Sequence, residues 1–85
     1  MIAIVTFNEA ITPDKYNDYM KNSLKVERAI MDFTQQQLAE LVGVSRQTIN
    51  AIEKGNYVPS TTLSLKLARV FSKPVENIFQ LDEND

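Results

Sequence analysis

The chain has 85 residues and a mass of 9.7 kDa, room for one small domain. Cysteine and histidine are both absent, which excludes disulfides, zinc and iron–sulfur ligation, cysteine nucleophiles and every histidine-based triad. The net charge of −2 speaks against a nucleic-acid partner until it is divided by position. Residues 1–19 hold Glu9, Asp14 and Asp18 against Lys15, and residues 80–85 hold Asp82, Glu83 and Asp85 with no base. Residues 20–79 carry eight Lys and Arg against five acids, a basic centre between acidic ends.

In chain order, Met1–Phe7 is apolar and partly β-branched, and predicts a short strand. It is too short for a signal sequence, no basic stretch precedes it, and no run reaches the length of a membrane span. The expected location is the cytoplasm. Thr12-Pro13-Asp14 is a helix-start signal, and Tyr16, Tyr19 and Met20 share a face of the helix that follows. Ser23–Met31 predicts a helix with Leu24, Arg28 and Met31 near one face, broken at Asp32-Phe33. Thr34 caps the next helix with Gln37 as its capping-box partner; Leu38, Leu41 and Val42 form its apolar stripe. Gly43 suits the left-handed position at its end.

Ser45 caps a helix running to about Lys54, with Ile49 and Ile52 inward and Gly55 ending it. Ser60 caps another, with Leu63, Leu67, Ala68 and Phe71 inward and Leu65 and Val70 flanking them. Ser72-Lys73-Pro74 breaks it, and Val75, Ile78 and Phe79 form a final short helical turn. The expectation is an all-α fold of five helices with short loops, preceded by the N-terminal strand. Three segments are expected: an extension over residues 1–21, a helical domain over 22–81 and an acidic tail over 82–85.

Residues 35–54 carry the functional signal. Two helices of about eight residues meet across Gly43-Val44-Ser45, the spacing of a helix-turn-helix. Ala39 is small where the helices cross. Val44, Ile49 and Ile52 fill the angle between them, leaving Arg46, Gln47 and Asn50 outward near the start of the second helix.

The string Thr34-Gln35-x-x-Leu38-Ala39-x-x-x-Gly43-Val44-Ser45-Arg46-x-x-Ile49-x-x-Ile52-Glu53-x-Gly55, then Pro59-Ser60, resembles the Cro/repressor-type helix-turn-helix family. The resemblance spans about Asn22 to Leu81 and implies a five-helix, lambda-repressor-like DNA-binding domain. It implies base contacts from Arg46, Gln47 and Asn50; arginine suits guanine, and glutamine and asparagine suit adenine. It implies backbone contacts from Gln35, Thr48, Lys54, Asn56 and Tyr57, and a structural pair of Arg28 with Glu53. Asp32-Phe33 stands where the family usually has a glycine turn.

The expected function is a sequence-specific regulator of transcription, a repressor, binding double-stranded DNA as a homodimer without metal or cofactor. Ile2, Ile4, Phe71, Ile78, Phe79 and Leu81 are the candidate dimer residues. The rivals are an antitoxin or controller that also binds a protein partner, and an interaction module without DNA binding. An enzyme is the weakest rival, because no carboxylate or lysine constellation accompanies the missing histidine and cysteine. Residues 1–19 are either a dimerisation segment or an upstream extension.

Overall fold

The computed structural model describes residues 21–81. In order, these form β1 (Lys21–Asn22), α1 (Leu24–Ile30), α2 (Gln35–Val42), α3 (Arg46–Glu53), α4 (Thr61–Phe71), a 3-10 turn (Val75–Asn77) and β2 (Phe79–Gln80). The predicted Met1–Phe7 strand, the helix after Pro13, and the acidic tail lie outside the described residues.

Three of the four helix starts have a side-chain cap from the N-cap residue; at α1, Ser23 makes none, and Leu24 N–H instead donates to Asn22 Oδ1 at 3.1 Å. Thr34 accepts from the Gln37 amide while the Gln37 side chain accepts from the Thr34 amide, a complete capping box. Ser45 caps α3 through Thr48 N–H, and Ser60 caps α4 through Leu63 N–H, each at 3.1 Å.

The helix ends share one device. Asp32, Gly43, Gly55 and Ser72 all adopt the left-handed conformation, with φ of 60°, 77°, 79° and 55°. After α3, Asn56 N–H reaches Ala51 C=O and Gly55 N–H reaches Ile52 C=O, satisfying carbonyls that the helix leaves open. Two of these four positions are not glycine, so the backbone at Asp32 and Ser72 is strained. Two opposite results follow. Gly43→Ala, where an added Cβ meets nothing within 4 Å, is expected to cost only the conformational term of about 1 kcal/mol. Asp32→Gly is expected to gain a similar amount or less, roughly 0.5–1 kcal/mol. Thermal melts of the two variants should move in opposite directions; movement in the same direction would refute the strain assignment.

The core is one cluster built around six fully buried side chains: Leu24, Leu38, Ile49, Ile52, Leu67 and Ile78. The apolar stripes are narrower than expected. Leu41 of α2 and Met31 after α1 are exposed, because these positions turn away from the cluster, while Leu65, expected only to flank the α4 stripe, is exposed too. On α1 the inward place goes instead to Glu27, whose carboxylate meets Lys73 Nζ at 2.6 Å, tying α1 to the end of α4.

The five-helix, all-α expectation is corrected. The described residues hold four α-helices, and the final segment is a 3-10 turn followed by an extended pair. Pro74 lacks an amide and opens a three-residue turn. The chain then straightens so that Phe79 and Gln80 pair antiparallel with Asn22 and Lys21. Ser23 N–H donates to Ile78 C=O at 2.9 Å and continues this closure. The closing pair therefore begins at Lys21, one residue inside the segment predicted as extension.

Candidate nucleic-acid interface

Helices α2 and α3 pack closely across the turn at residues 43–45. Leu38, Ala39 and Val42 of α2 and Ile49 and Ile52 of α3 are all buried, with half-buried Val44 packed against the same cluster. Burying Ile49 and Ile52 sends the other side of α3 outward. Arg46 and Gln47, in its first turn, are exposed. Thr48 and Asn50 are half-buried at the edges of that face. Lys54, Asn56 and Tyr57 follow, all exposed.

The far end of α3 is held by a polar network centred on Glu53, whose side chain is 5% exposed. Arg28 Nε donates to Glu53 Oε2 at 2.7 Å and Nη2 to Oε1 at 3.2 Å, a two-pronged pair. Arg28 Nη1 also donates to Phe33 C=O at 2.8 Å. Gln35 Nε2 donates to Glu53 Oε1 at 3.0 Å and to Asn50 Oδ1 at 3.2 Å. Asn22 Nδ2 reaches Ile52 C=O at 2.9 Å. The network joins β1, α1, the loop at Phe33, and both helices of the motif. It ties the C-terminal end of α3 to the rest of the domain.

This geometry brings Arg28 and Glu53 together as expected and changes the part played by Gln35. Both N–H bonds of its side-chain amide are directed at Glu53 and Asn50, so its side chain fixes α3 instead of standing free for a phosphate. Asn50 accepts that bond through Oδ1, one of the two atoms it would need to read adenine. Thr48 Oγ1 lies 3.0 Å from Ser45 Oγ and belongs partly to the cap. The structure also places the dimer candidates. Phe71, Ile78 and Phe79 are at most 6% exposed because they form the protomer's own core. Leu81 is exposed, and Ile2 and Ile4 lie outside the described residues.

Two features were missed in the sequence. Asn22 anchors α3 from a position 30 residues away, and the Glu27–Lys73 bridge joins residues 46 apart. The only local signal was that Glu27 falls three residues after Leu24, on the inward face.

The electrostatics suit an external anion. Neither α2 nor α3 carries an acidic residue in its first turn, and their caps are neutral Thr34 and Ser45. The positive ends of both helix dipoles are therefore not neutralised from within. Glu53, the carboxylate nearest this face in sequence, is already paired with Arg28. Among the described residues no group of acids could hold a metal, and no helix is long and apolar enough to cross a membrane.

An exposed helix face held over a buried helix pair, with cationic and amide side chains on it, defines a DNA-binding helix-turn-helix domain. The model of the helix-turn-helix family matches residues 24–78. The chain is 50% identical over 66 residues to YgzD of Bacillus subtilis, named as an HTH-type transcriptional regulator, covering 78% of this chain and all of the relative. A regulator of the same description from Methanocaldococcus jannaschii is also 50% identical, with the same coverage. The solution structure of the SOS-response transcriptional repressor LexA from Eubacterium rectale superposes with a TM-score of 0.63 at 27% identity. That match covers 73% of this chain and 66% of that one. The chain belongs to the Cro/repressor-type helix-turn-helix family of transcriptional regulators.

Proposed function

We propose that the chain is a sequence-specific repressor that lays α3 in the major groove of DNA and acts as a cytoplasmic homodimer. The observation that carries this reading is the exposed first turn of α3, where Arg46 and Gln47 stand outward while Glu53 locks the other end. Arg46 and Gln47 read bases. Asn50 adds a donor through its amide nitrogen. Lys54, Asn56 and Tyr57 and the N-termini of α2 and α3 meet phosphates, which position the domain without reading sequence. Thr48 reaches a phosphate from the edge of the face. Residues 22–81 form the DNA-binding unit, to which Lys21 adds its strand pairing.

A single module buries about 600–1,000 Å² on DNA, a modest contact. Two copies double it and read inverted half-sites about 34 Å apart. The test is selection of bound duplexes from a random pool, then titration of the winner at several salt concentrations. An inverted repeat is expected, with log affinity falling linearly as log salt rises. An asymmetric winner would remove the homodimer, and an affinity flat in salt would remove the phosphate contacts.

A further inference from the structure

A polar hollow opens beside α3, between the turn at Gly43 and the first turns of α4. Thr48, Tyr57, Ser60, Thr62 and Lys66 line it, and the rest of its wall is glycine or apolar. It therefore offers hydroxyls and an ammonium, and no carboxylate. Ser60 Oγ accepts from Leu63 N–H as the cap of α4, which leaves its own proton to donate. The first turn of α4 carries no acid, so the positive end of that helix dipole adds to the ammonium. Lys66 is exposed and takes part in neither ion pair found among the described residues. Glu40, the acid of the adjoining groove that Lys66 also lines, accepts instead from Gln36 Nε2 at 2.9 Å.

We propose that this hollow holds a backbone phosphate of the bound DNA, with Lys66 as its cation, so that α4 as well as the helix-turn-helix grips the duplex. The inference rests on the DNA-binding reading above and adds a contact to it. A hollow of hydrogen-bond donors with a cation and no carboxylate matches a phosphate, whose oxygens accept hydrogen bonds and carry negative charge. Its place gives the contact a use. Thr48 and Asn50 are two residues apart on α3, about 200° round the helix axis. Gln35, at the start of α2, bonds Asn50 on one flank, and the hollow meets Thr48 on the other. The eight residues of α2 separate its start from the turn at Gly43, about 12 Å. Phosphates held at both ends of α2 brace the domain on either side of α3 and keep that helix from rolling in the groove. Lys66 stands 12 residues after Lys54, on a helix outside the motif, and folding brings it to the same hollow as Thr48.

The test uses the full chain and the duplex chosen by selection. Lys66→Gln is expected to keep its helical circular dichroism and to flatten the fall of log affinity with log salt by about 0.9 per half-site, one phosphate's share. Affinity should fall by the same factor on selected and unrelated duplexes, because a phosphate contact carries no sequence. Ethylating single phosphates should reveal one position per half-site that blocks wild type and is indifferent for Lys66→Gln. Arg69→Gln, one turn further along α4 and outside the hollow, should keep the wild-type slope. An unchanged slope for Lys66→Gln, or an equal loss from Arg69→Gln, overturns the site and leaves reading by α3 standing. A wild type without affinity for any duplex overturns both. In the DNA-free protein, inorganic phosphate is expected to give no saturable amide shift at Thr62 or Lys66. Saturable shifts there, with a duplex affinity unchanged in Lys66→Gln, overturn the DNA assignment in favour of a free phosphate. If Lys66→Gln fails to fold, Thr62→Glu decides. A carboxylate placed in the hollow should weaken binding to both duplexes, and an unchanged affinity overturns the proposal.

Discussion

Replacing Arg46 and Gln47 together by alanine is expected to reduce specific binding by about 10³-fold per half-site. A good bidentate side-chain contact to a base contributes about 1–3 kcal/mol of discrimination, so two contacts contribute about 4 kcal/mol together. Binding to unrelated DNA should fall far less, since Lys54 and the helix N-termini are untouched and only one positive charge is lost. The melting temperature should stay near wild type, because both residues are exposed and make no side-chain hydrogen bond among the described residues; such surface changes usually fall within about 0.5 kcal/mol. Competition of the selected duplex against unrelated DNA measures the ratio directly. An unchanged ratio would show that α3 does not read bases through these positions.

Glu53→Ala is the substitution expected to damage stability most among the polar residues. It removes the acceptor for three donated bonds, two from Arg28 and one from Gln35. The Arg28 side chain is only 17% exposed and would keep just the Phe33 carbonyl. Leaving one partner of a buried pair alone costs about 3–5 kcal/mol. The lower figure applies because Arg28 still reaches water. For a domain of this size about 3 kcal/mol lowers the melting temperature by roughly 12–24 °C. Arg28→Ala should fall in the same direction by several degrees, and Glu53→Gln by less than Glu53→Ala, since it keeps one acceptor oxygen. Calorimetry of the three variants checks the order. A Glu53→Ala melt matching wild type would mean that packing alone holds α3, with Ile49 and Ile52 sufficient.

The two sets of variants separate reading from holding. The first leaves the fold intact and removes specificity. The second leaves the reading residues in place and loosens the helix that carries them. Gln35 lies on the boundary. Its position at the start of α2 resembles a phosphate contact, yet its side chain closes the Glu53 network. A helix N-terminus can still attract an anion through its backbone when its side chains are engaged elsewhere.

Local chemistry in the sequence determined where most of the helices begin and end, and which face of α3 is exposed. Thr34, Ser45 and Ser60 act on amides within three residues, and Gly43 and Gly55 act on their own dihedral angles. The inward spacing of Ile49 and Ile52 settles which side of α3 faces out, and so exposes Arg46 and Gln47. All of these act within about one turn of helix. Tertiary structure decided what depends on distant partners. Phe71, Ile78 and Phe79 could have served a core or an interface, and only the packing of the final turn on the helices committed them to the core. Val75–Gln80 is too short to reveal its own conformation; the extended stretch at Phe79 and Gln80 exists because Lys21 and Asn22 stand ready to pair with it. The burial of Glu27 became tolerable only when folding brought Lys73 within 2.6 Å. The outward turn of Leu65 likewise follows from how α4 sits on the core.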